Sequence, residues 1–192
     1  MTIRWIDEVK AIPQLPPQVR TLMISAGHSD TQPGVVANGY READIVLEFR
    51  QLVSVELCEL GIKHLLDGEP HENLPLRQAV EIARRCDIAV EFHTDSAAPT
   101  ASGSWTLSHA PNKPLGAQLA ARAAATMGIQ NRGARPENAG QHHRLAFVSD
   151  GGGIIHELFF LTNPNDLAAY RRHKQVLAGE IAGVLASAAR TP

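Results

Sequence analysis

The sequence DIAVEFH at residues 87–93 is a short apolar run, rich in Ile, Val and Phe, that ends in a histidine. This composition predicts a strand over residues 87–92. The elements predicted before it are, in chain order, a strand over 19–25, a helix over 42–60, a strand over 62–66 and a helix over 76–85. Because strands and helices alternate, the sequence predicts an α/β fold with right-handed crossovers and helices on both faces of the sheet.

The same pattern continues towards the C-terminus. The elements predicted there are a strand over 103–107, a helix over 114–127, a strand over 153–158 and a last helix over 164–189. No repeat or linker divides them, which predicts a single domain over residues 21–190. Prolines 13, 16 and 17 restrict the backbone, so residues 1–20 are predicted to form an irregular leader. A long loop with the turn signal Asn38-Gly39 is predicted before the first helix.

The overall composition excludes several classes of protein. With 192 residues, 44% of them hydrophobic, the chain is long enough to bury a core of its own. Lys and Arg number 18 against 20 Asp and Glu, and no basic block occurs, which argues against a nucleic-acid partner. No apolar run approaches the length of a membrane span and no signal-peptide core occurs, so the sequence predicts no membrane partner and synthesis in the cytoplasm without a Sec signal. Cys58 and Cys86 are expected to be free thiols.

Chemically active side chains follow three of the apolar runs. His28 follows residues 22–27, His93 follows 88–92, and His156 and Glu157 follow 154–155. Side chains that leave the carboxyl ends of neighbouring strands converge on one crevice in an open α/β sheet. We therefore expect a site at this edge.

Glu42 is a fourth candidate, because it begins a predicted helix after the long loop. It could face the crevice or only stabilise the helix dipole. Two imidazoles and a carboxylate are the ligand set of a catalytic zinc site, and His28, Glu42 and His93 fit that set. A further carboxylate is then needed to move protons, for which Glu157 is the candidate. Two alternatives remain. His28 and His93 could be hydrogen-bonded structural residues at strand ends, and Glu157 could form a structural salt bridge.

The sequence resembles the zinc-dependent N-acetylmuramoyl-L-alanine amidases of the family-3 type over roughly residues 21–189. The fragments that carry the resemblance are SAGH at 25–28, GYREAD at 39–44, LR at 76–77 with Ala83 before the strand that ends in His93, NRG at 131–133 and ELFFLTN at 157–163. The resemblance implies one mixed sheet between helices. It also implies that His28, Glu42 and His93 hold Zn²⁺ and that Glu157 is the catalytic carboxylate. The implied reaction is hydrolysis of the bond between N-acetylmuramic acid and L-alanine in peptidoglycan, in which Glu157 activates water and protonates the departing amine.

Several positions depart from the pattern of this family. Ser29-Asp30 replaces a pair of glycines, and Thr94-Asp95 replaces Ala-Asn. Glu91 stands where a small residue is more common, and His156 stands where an apolar residue is common. Because successive strand residues point to opposite faces, His156 and Glu157 are not expected to enter the crevice together.

Two further positions complete the residue-level expectations. Asp95 is a candidate partner for a ligating histidine. The pair His142-His143 is expected to lie in a solvated loop.

The preferred functional hypothesis is a phage or prophage lysin that acts on peptidoglycan in the periplasm or cell wall. The alternatives are another zinc peptidase or deacylase on the same fold and a non-catalytic module that binds the cell wall or regulates its turnover. The sequence specifies no oligomeric state.

Overall fold

The computed structural model describes residues 17–29, 31–69, 71–72, 74–139 and 144–192. Within these residues the strands are β1 (Leu22–Ala26), β2 (Val36–Ala37), β3 (Tyr40–Arg41), β4 (Leu65–Leu66), β5 (Ile88–Asp95), β6 (Ser104–Leu107), β7 (Asn131–Arg135) and β8 (Ile154–Phe160). The helices are α1 (Glu42–Glu59), α2 (Leu76–Ala83), α3 (Lys113–Met127), α4 (Ala146–Ser149) and α5 (Pro164–Arg190).

Six of the strands described form one mixed sheet in the order β4-β1-β5-β8-β6-β7. The pairs β4–β1, β1–β5, β5–β8 and β6–β7 are parallel, and β6 and β8 are antiparallel. The predicted α/β fold is confirmed, and the sheet is the single mixed sheet between helices that the family resemblance implies. The carboxyl ends of the neighbouring strands β1, β5 and β8 lie at one edge, where the sequence predicts the site.

Helices cover both faces of the sheet, as predicted. Residues of α1, α3 and α5 pack in one core, and residues of α2 and α4 pack in another. The alternation along β5 explains this division, since Val90 and Phe92 belong to the first core and Ala89 to the second. Glu91 and His93 follow Ala89 at intervals of two, so both side chains lie on the face that α2 and α4 cover.

The helix predicted over 42–60 is observed as α1, and Gly61 beyond its end has a positive φ of 70°. The long loop before it contains the short hairpin β2–β3. The turn of this hairpin lies at Asn38-Gly39, where the φ angles are 51° and 80°. This turn is the one that the sequence predicts, because both positions of such a turn need φ > 0.

The differences at β4, β7 and α4 have a physical explanation. The strand predicted over 62–66 shortens to β4, because the N–H of Ile62 donates to the carbonyl of Leu57 at the end of α1. The prediction includes neither β7 nor α4. Strand β7 reads NRGAR, which has no apolar alternation, and α4 has only four residues.

The chain before β1 contacts the end of the last helix. The N–H groups of Val19 and Arg20 both donate to the carbonyl of Ala189, at 2.9 and 3.0 Å. Residues 1–16 of the predicted leader and the pair His142-His143 lie outside the described residues. Cys58 and Cys86 are free thiols, as predicted. None of the helices in the described part of the chain is long and apolar enough to cross a membrane.

Candidate metal centre and catalytic groove

The structure brings His28, Glu42 and His93 together at the edge of the sheet. His28 lies in the loop after β1, Glu42 is the first residue of α1, and His93 lies near the end of β5. One ligand atom from each lies within 4.8 Å of the others. Glu42 bridges the two rings, because its Oε2 is 3.2 Å from His28 Nε2 and its Oε1 is 3.1 Å from His93 Nδ1.

The Glu42 carboxylate is held in place by backbone N–H groups from the loop before β2 and from β5. Its side chain is buried, with the residue 1% exposed. The N–H of Val35 donates to Oε2 and the N–H of Thr94 donates to Oε1, both at 2.9 Å. Burial alone would raise the pKa of Glu42, but hydrogen bonds from His28 and His93 hold that pKa well below its usual range. Glu42 is therefore an ionised oxygen donor, and it faces the crevice although it also begins a helix.

Two glycines make room for these side chains. A Cβ at Gly27 would lie 2.3 Å from Cε1 of His93. A Cβ at Gly34 would lie 2.5 Å from Glu42 Oε2, and Gly34 also has a φ of +67°. His28 itself has a φ of 66°, a conformation that is uncommon for residues other than glycine and that occurs at functional sites. The backbone of the loop after β1 is thus shaped around the three candidate ligands.

Glu157 lies beside this group on the neighbouring strand. It is 5% exposed, and its Oε2 has no hydrogen-bond partner among the described residues. Burial raises the pKa of Glu157 to about 8, against the opposing effect of His93. Glu157 borders the same cavity as His28, Glu42 and His93. The register of β5 and β8 is irregular directly after the His93–Glu157 pair, a kind of irregularity that is common next to active sites.

His156 lies on the opposite face of β8, as the alternation predicts. Its Nε2 is 3.0 Å from Ser104 Oγ, and its ring packs against Phe92 in the interior. Burial lowers the pKa of His156 to about 3, so this ring is neutral. His156 is a core residue and does not reach the candidate metal centre.

The contacts of His93 reveal a residue to which sequence reasoning assigned no role. Glu91 Oε1 is 3.0 Å from His93 Nε2, and Ser25 Oγ donates to Glu91 Oε2 at 2.9 Å. The sequence contains one signal for this contact. Glu91 and His93 are two residues apart on a predicted strand, so their side chains lie on the same face. Asp95, the partner that the sequence suggested, accepts the indole N–H of Trp105 at 2.9 Å. Although burial lowers the pKa of His93, hydrogen bonds to Glu42 and Glu91 raise it well above its usual value.

A groove of about 520 Å³ lies beside these residues. Its lining includes His28, Glu91 and His93, the start of α2 and part of α4. Arg77 lies exposed in the α2 wall. The groove is large enough for part of a polymeric substrate to lie across the site.

A buried ion pair fixes the segment that leads from β4 to α2. Arg50 and Asp67 are both fully buried and bonded to each other. Arg50 also donates to the carbonyls of Glu69 and Glu72 at 2.8 Å, and the N–H of Ala26 donates to Asp67 at 3.1 Å. This cluster ties one wall of the groove to α1 and to the end of β1.

The donor set suits a zinc ion. It consists of two imidazole nitrogens and one carboxylate oxygen, which is a known catalytic combination. One donor atom from each residue lies within 4.8 Å of the others, so a single ion could contact all three. The chemistry and the spacing of the three residues therefore fit the metal.

Comparison with known proteins agrees with this geometry. A protein from Neisseria meningitidis, assigned as an N-acetylmuramoyl-L-alanine amidase, has a crystal structure that is similar with a TM-score of 0.80 and 39% identity, covering 88% of this chain and 95% of that chain. The catalytic domain of CwlV, an N-acetylmuramoyl-L-alanine amidase from Bacillus (Paenibacillus) polymyxa var. colistinus, has the same fold, with a TM-score of 0.75 and 20% identity over 88% of this chain and 98% of that chain.

The same family appears in the sequence comparisons. The N-acetylmuramoyl-L-alanine amidase LytC of Bacillus subtilis is 24% identical over 160 residues, which are 79% of this chain and 32% of LytC. The model of the family Amidase_3, described as N-acetylmuramoyl-L-alanine amidase, matches residues 22–187, which include the sheet and every candidate site residue. The chain therefore belongs to the Amidase_3 family of N-acetylmuramoyl-L-alanine amidases.

Proposed function

We propose that the protein is a zinc-dependent hydrolase that cleaves the amide bond between N-acetylmuramic acid and L-alanine in peptidoglycan. In this proposal His28, Glu42 and His93 hold Zn²⁺, and Glu157 is the catalytic carboxylate. The observation that carries it is the convergence of two imidazoles and a buried carboxylate within 4.8 Å. Beside them lies a second buried carboxylate, that of Glu157, whose Oε2 has no hydrogen-bond partner among the residues described.

The metal would supply Lewis acidity, which polarises the scissile carbonyl and lowers the pKa of a water molecule. Glu42 supports this role because its ionised carboxylate contributes the one negative charge among the three donors. His28 and His93 would each contribute a neutral imidazole nitrogen to the metal. The two glycines, 27 and 34, leave the space in which the three side chains meet.

Glu157 performs the proton transfers of the proposed reaction. Its Oε2, which has no hydrogen-bond partner in the described part of the chain, would accept a proton from the attacking water and deliver it to the amine of the departing L-alanine. Burial favours the protonated form of this carboxyl, which suits the second step. A cation bound by the three ligands would favour the ionised form, which suits the first step. The groove along α2 and α4 would hold the substrate across these groups.

The bond that is cleaved tests this proposal against its alternatives. Purified peptidoglycan is incubated with the protein, and the soluble products are identified by mass spectrometry. Free stem peptides with a new L-alanine amino terminus are the expected result. Peptides cut within the stem would indicate a peptidase, and loss of acetyl groups a deacylase. Binding without any product would indicate a wall-binding module, and each of these three results would overturn the proposal.

We further propose that the activity serves in lysis, as in a phage or prophage lysin made in the cytoplasm and acting in the periplasm or cell wall. Expression in bacteria together with a protein that permeabilises the inner membrane is expected to lyse the cells. Expression of Glu157→Gln under the same conditions is expected to leave them intact. Equal lysis by both would contradict this role.

A further inference from the structure

We propose that Glu91 is a positioning residue that fixes His93 for metal binding. The inference rests on the proposed function, because it assigns a role at the same metal centre. Glu91 is not one of the three candidate ligands, and the sequence predicts no role for it.

The Glu91 carboxylate is bonded at both oxygens. Oε1 is 3.0 Å from His93 Nε2, and Oε2 accepts the hydroxyl hydrogen of Ser25 at 2.9 Å. The residue is 4% exposed, so water competes little for either bond. The backbone sets this arrangement, because Ser25 and Glu91 are register partners on β1 and β5.

This contact decides which nitrogen of His93 faces the metal. A neutral imidazole donates from one ring nitrogen and accepts, or binds a metal, at the other. Without a metal, both ring nitrogens of His93 face a carboxylate, Nε2 that of Glu91 and Nδ1 that of Glu42. With a metal bound at Nδ1, Glu91 would still hold the hydrogen at Nε2. Nδ1 is the nitrogen that lies 3.1 Å from Glu42 Oε1, on the side of the other candidate ligands. Glu91 therefore selects the tautomer and the ring orientation that the site needs.

The placement of Glu91 also has an energetic reason. A buried carboxylate is costly unless it is bonded and balanced by positive charge. Ser25 and His93 supply the bonds, and a cation on the far side of the His93 ring would supply the balance. Carboxylates that accept from a ligating histidine orient the ring and raise its basicity, and their removal weakens metal affinity by about 10- to 100-fold.

The test is the zinc affinity of metal-free protein, measured by competition with a chromogenic chelator. Glu91→Ala is expected to lose affinity by about 10- to 100-fold. Glu91→Gln is expected to lose less, because its amide oxygen can still accept from His93 Nε2. Ser25→Ala, which leaves both partners of the Glu91–His93 bond in place, is expected to show a smaller loss than Glu91→Ala. Asp87→Asn, at the opposite end of β5, is the matched control and is expected to bind zinc as the wild type does.

The visible spectrum of Co²⁺-loaded protein provides a second readout. It reports the geometry of the ligands directly, so a change in Glu91→Ala that is absent in Asp87→Asn supports the positioning role. Unchanged affinity and spectrum in Glu91→Ala would overturn the inference. A loss of binding as complete as that of Glu42→Ala would also overturn it, since Glu91 would then be a ligand. A wild type that binds no zinc would instead overturn the proposed function.

Discussion

His93 and Glu157 are register partners on the adjacent parallel strands β5 and β8. Neighbouring strands lie about 4.8 Å apart, so the backbone itself places the proposed proton carrier beside a candidate metal ligand. Both side chains project to the face covered by α2 and α4, where the groove opens. The relative position of the two groups is thus set by the rigid centre of the sheet and not by a loop.

Replacing Glu157 by Gln separates metal binding from catalysis. The amide keeps the shape of the side chain but cannot take up a proton, so release of stem peptides is expected to fall by about 10²- to 10⁴-fold. Zinc content, measured by atomic spectroscopy, is expected to stay at the wild-type level because Glu157 is not among the three proposed ligands.

A matched carboxylate variant controls for the loss of charge. Glu180 in α5 forms an exposed ion pair with Arg122 of α3 and borders neither cavity of the candidate site. Glu180→Gln is expected to keep full turnover. Wild-type turnover in Glu157→Gln would remove Glu157 from the mechanism.

The raised pKa of Glu157 also predicts how stability depends on pH in the metal-free protein. The carboxyl titrates near 4.5 in the unfolded chain and near 8 in the folded one. Between these values the folded state binds more protons, so the free energy of unfolding contributed by this group falls as pH rises. Glu157→Gln lacks this titration, so its stability relative to the wild type is expected to increase from pH 5 to pH 8. Urea unfolding with a chelator present measures it, and an equal difference at both pH values would argue against the raised pKa.

The space at Gly27 predicts a sensitive position next to the metal centre. A methyl group there would lie 2.3 Å from the ring of His93, so the ring or the loop must move. Gly27→Ala is expected to weaken zinc binding at least tenfold and to destabilise the protein by about 1–3 kcal/mol. Isothermal titration calorimetry and urea unfolding measure the two effects.

Gly183 in α5 is the matched control, because a Cβ there meets nothing within 4 Å. Gly183→Ala is expected to keep zinc binding and to stabilise the helix by about 0.5–1 kcal/mol. Normal zinc affinity in Gly27→Ala would show that the His93 ring tolerates displacement and would contradict the role given to this glycine.

Much of the fold was predictable because its strands are apolar and its helices are long. The run at residues 87–92 and the spacing over 42–60 both identify buried elements, and β5 and α1 appear there. Strand β7 could not be predicted, because its sequence has no apolar alternation. It forms a strand through its pairing with β6. The order of the strands in the sheet could not be predicted either, because strand pairing depends on contacts between residues that are distant in sequence.

The convergence of His28, Glu42 and His93 was predictable from strand ends and from the family resemblance. The role of Glu91 could not be predicted from the sequence. It depends on the distance from Glu91 to one nitrogen of His93 and on the register that pairs Glu91 with Ser25. Asp95 was an equally reasonable candidate from the sequence. Only the side-chain positions show that Asp95 accepts from Trp105 and that Glu91 contacts the histidine.

The buried pair Arg50–Asp67 predicts a large effect on stability. Asp67→Ala leaves the guanidinium of Arg50 buried without its carboxylate, which is expected to cost about 3–5 kcal/mol in the free energy of unfolding. Glu81→Ala, which removes the exposed ion pair with Arg84, is the control and is expected to change stability by less than about 1 kcal/mol. Urea denaturation measures both, and equal effects would contradict the structural role of the buried pair.

The most direct test of the central claim is stem-peptide release by protein that has been stripped of metal and then given one equivalent of zinc. Release is expected to be absent from the stripped protein and restored by zinc in the wild type, but not in His93→Ala or Glu42→Ala. Full activity of the stripped wild type, or equal restoration of the two variants, would contradict a catalytic zinc site at His28, Glu42 and His93.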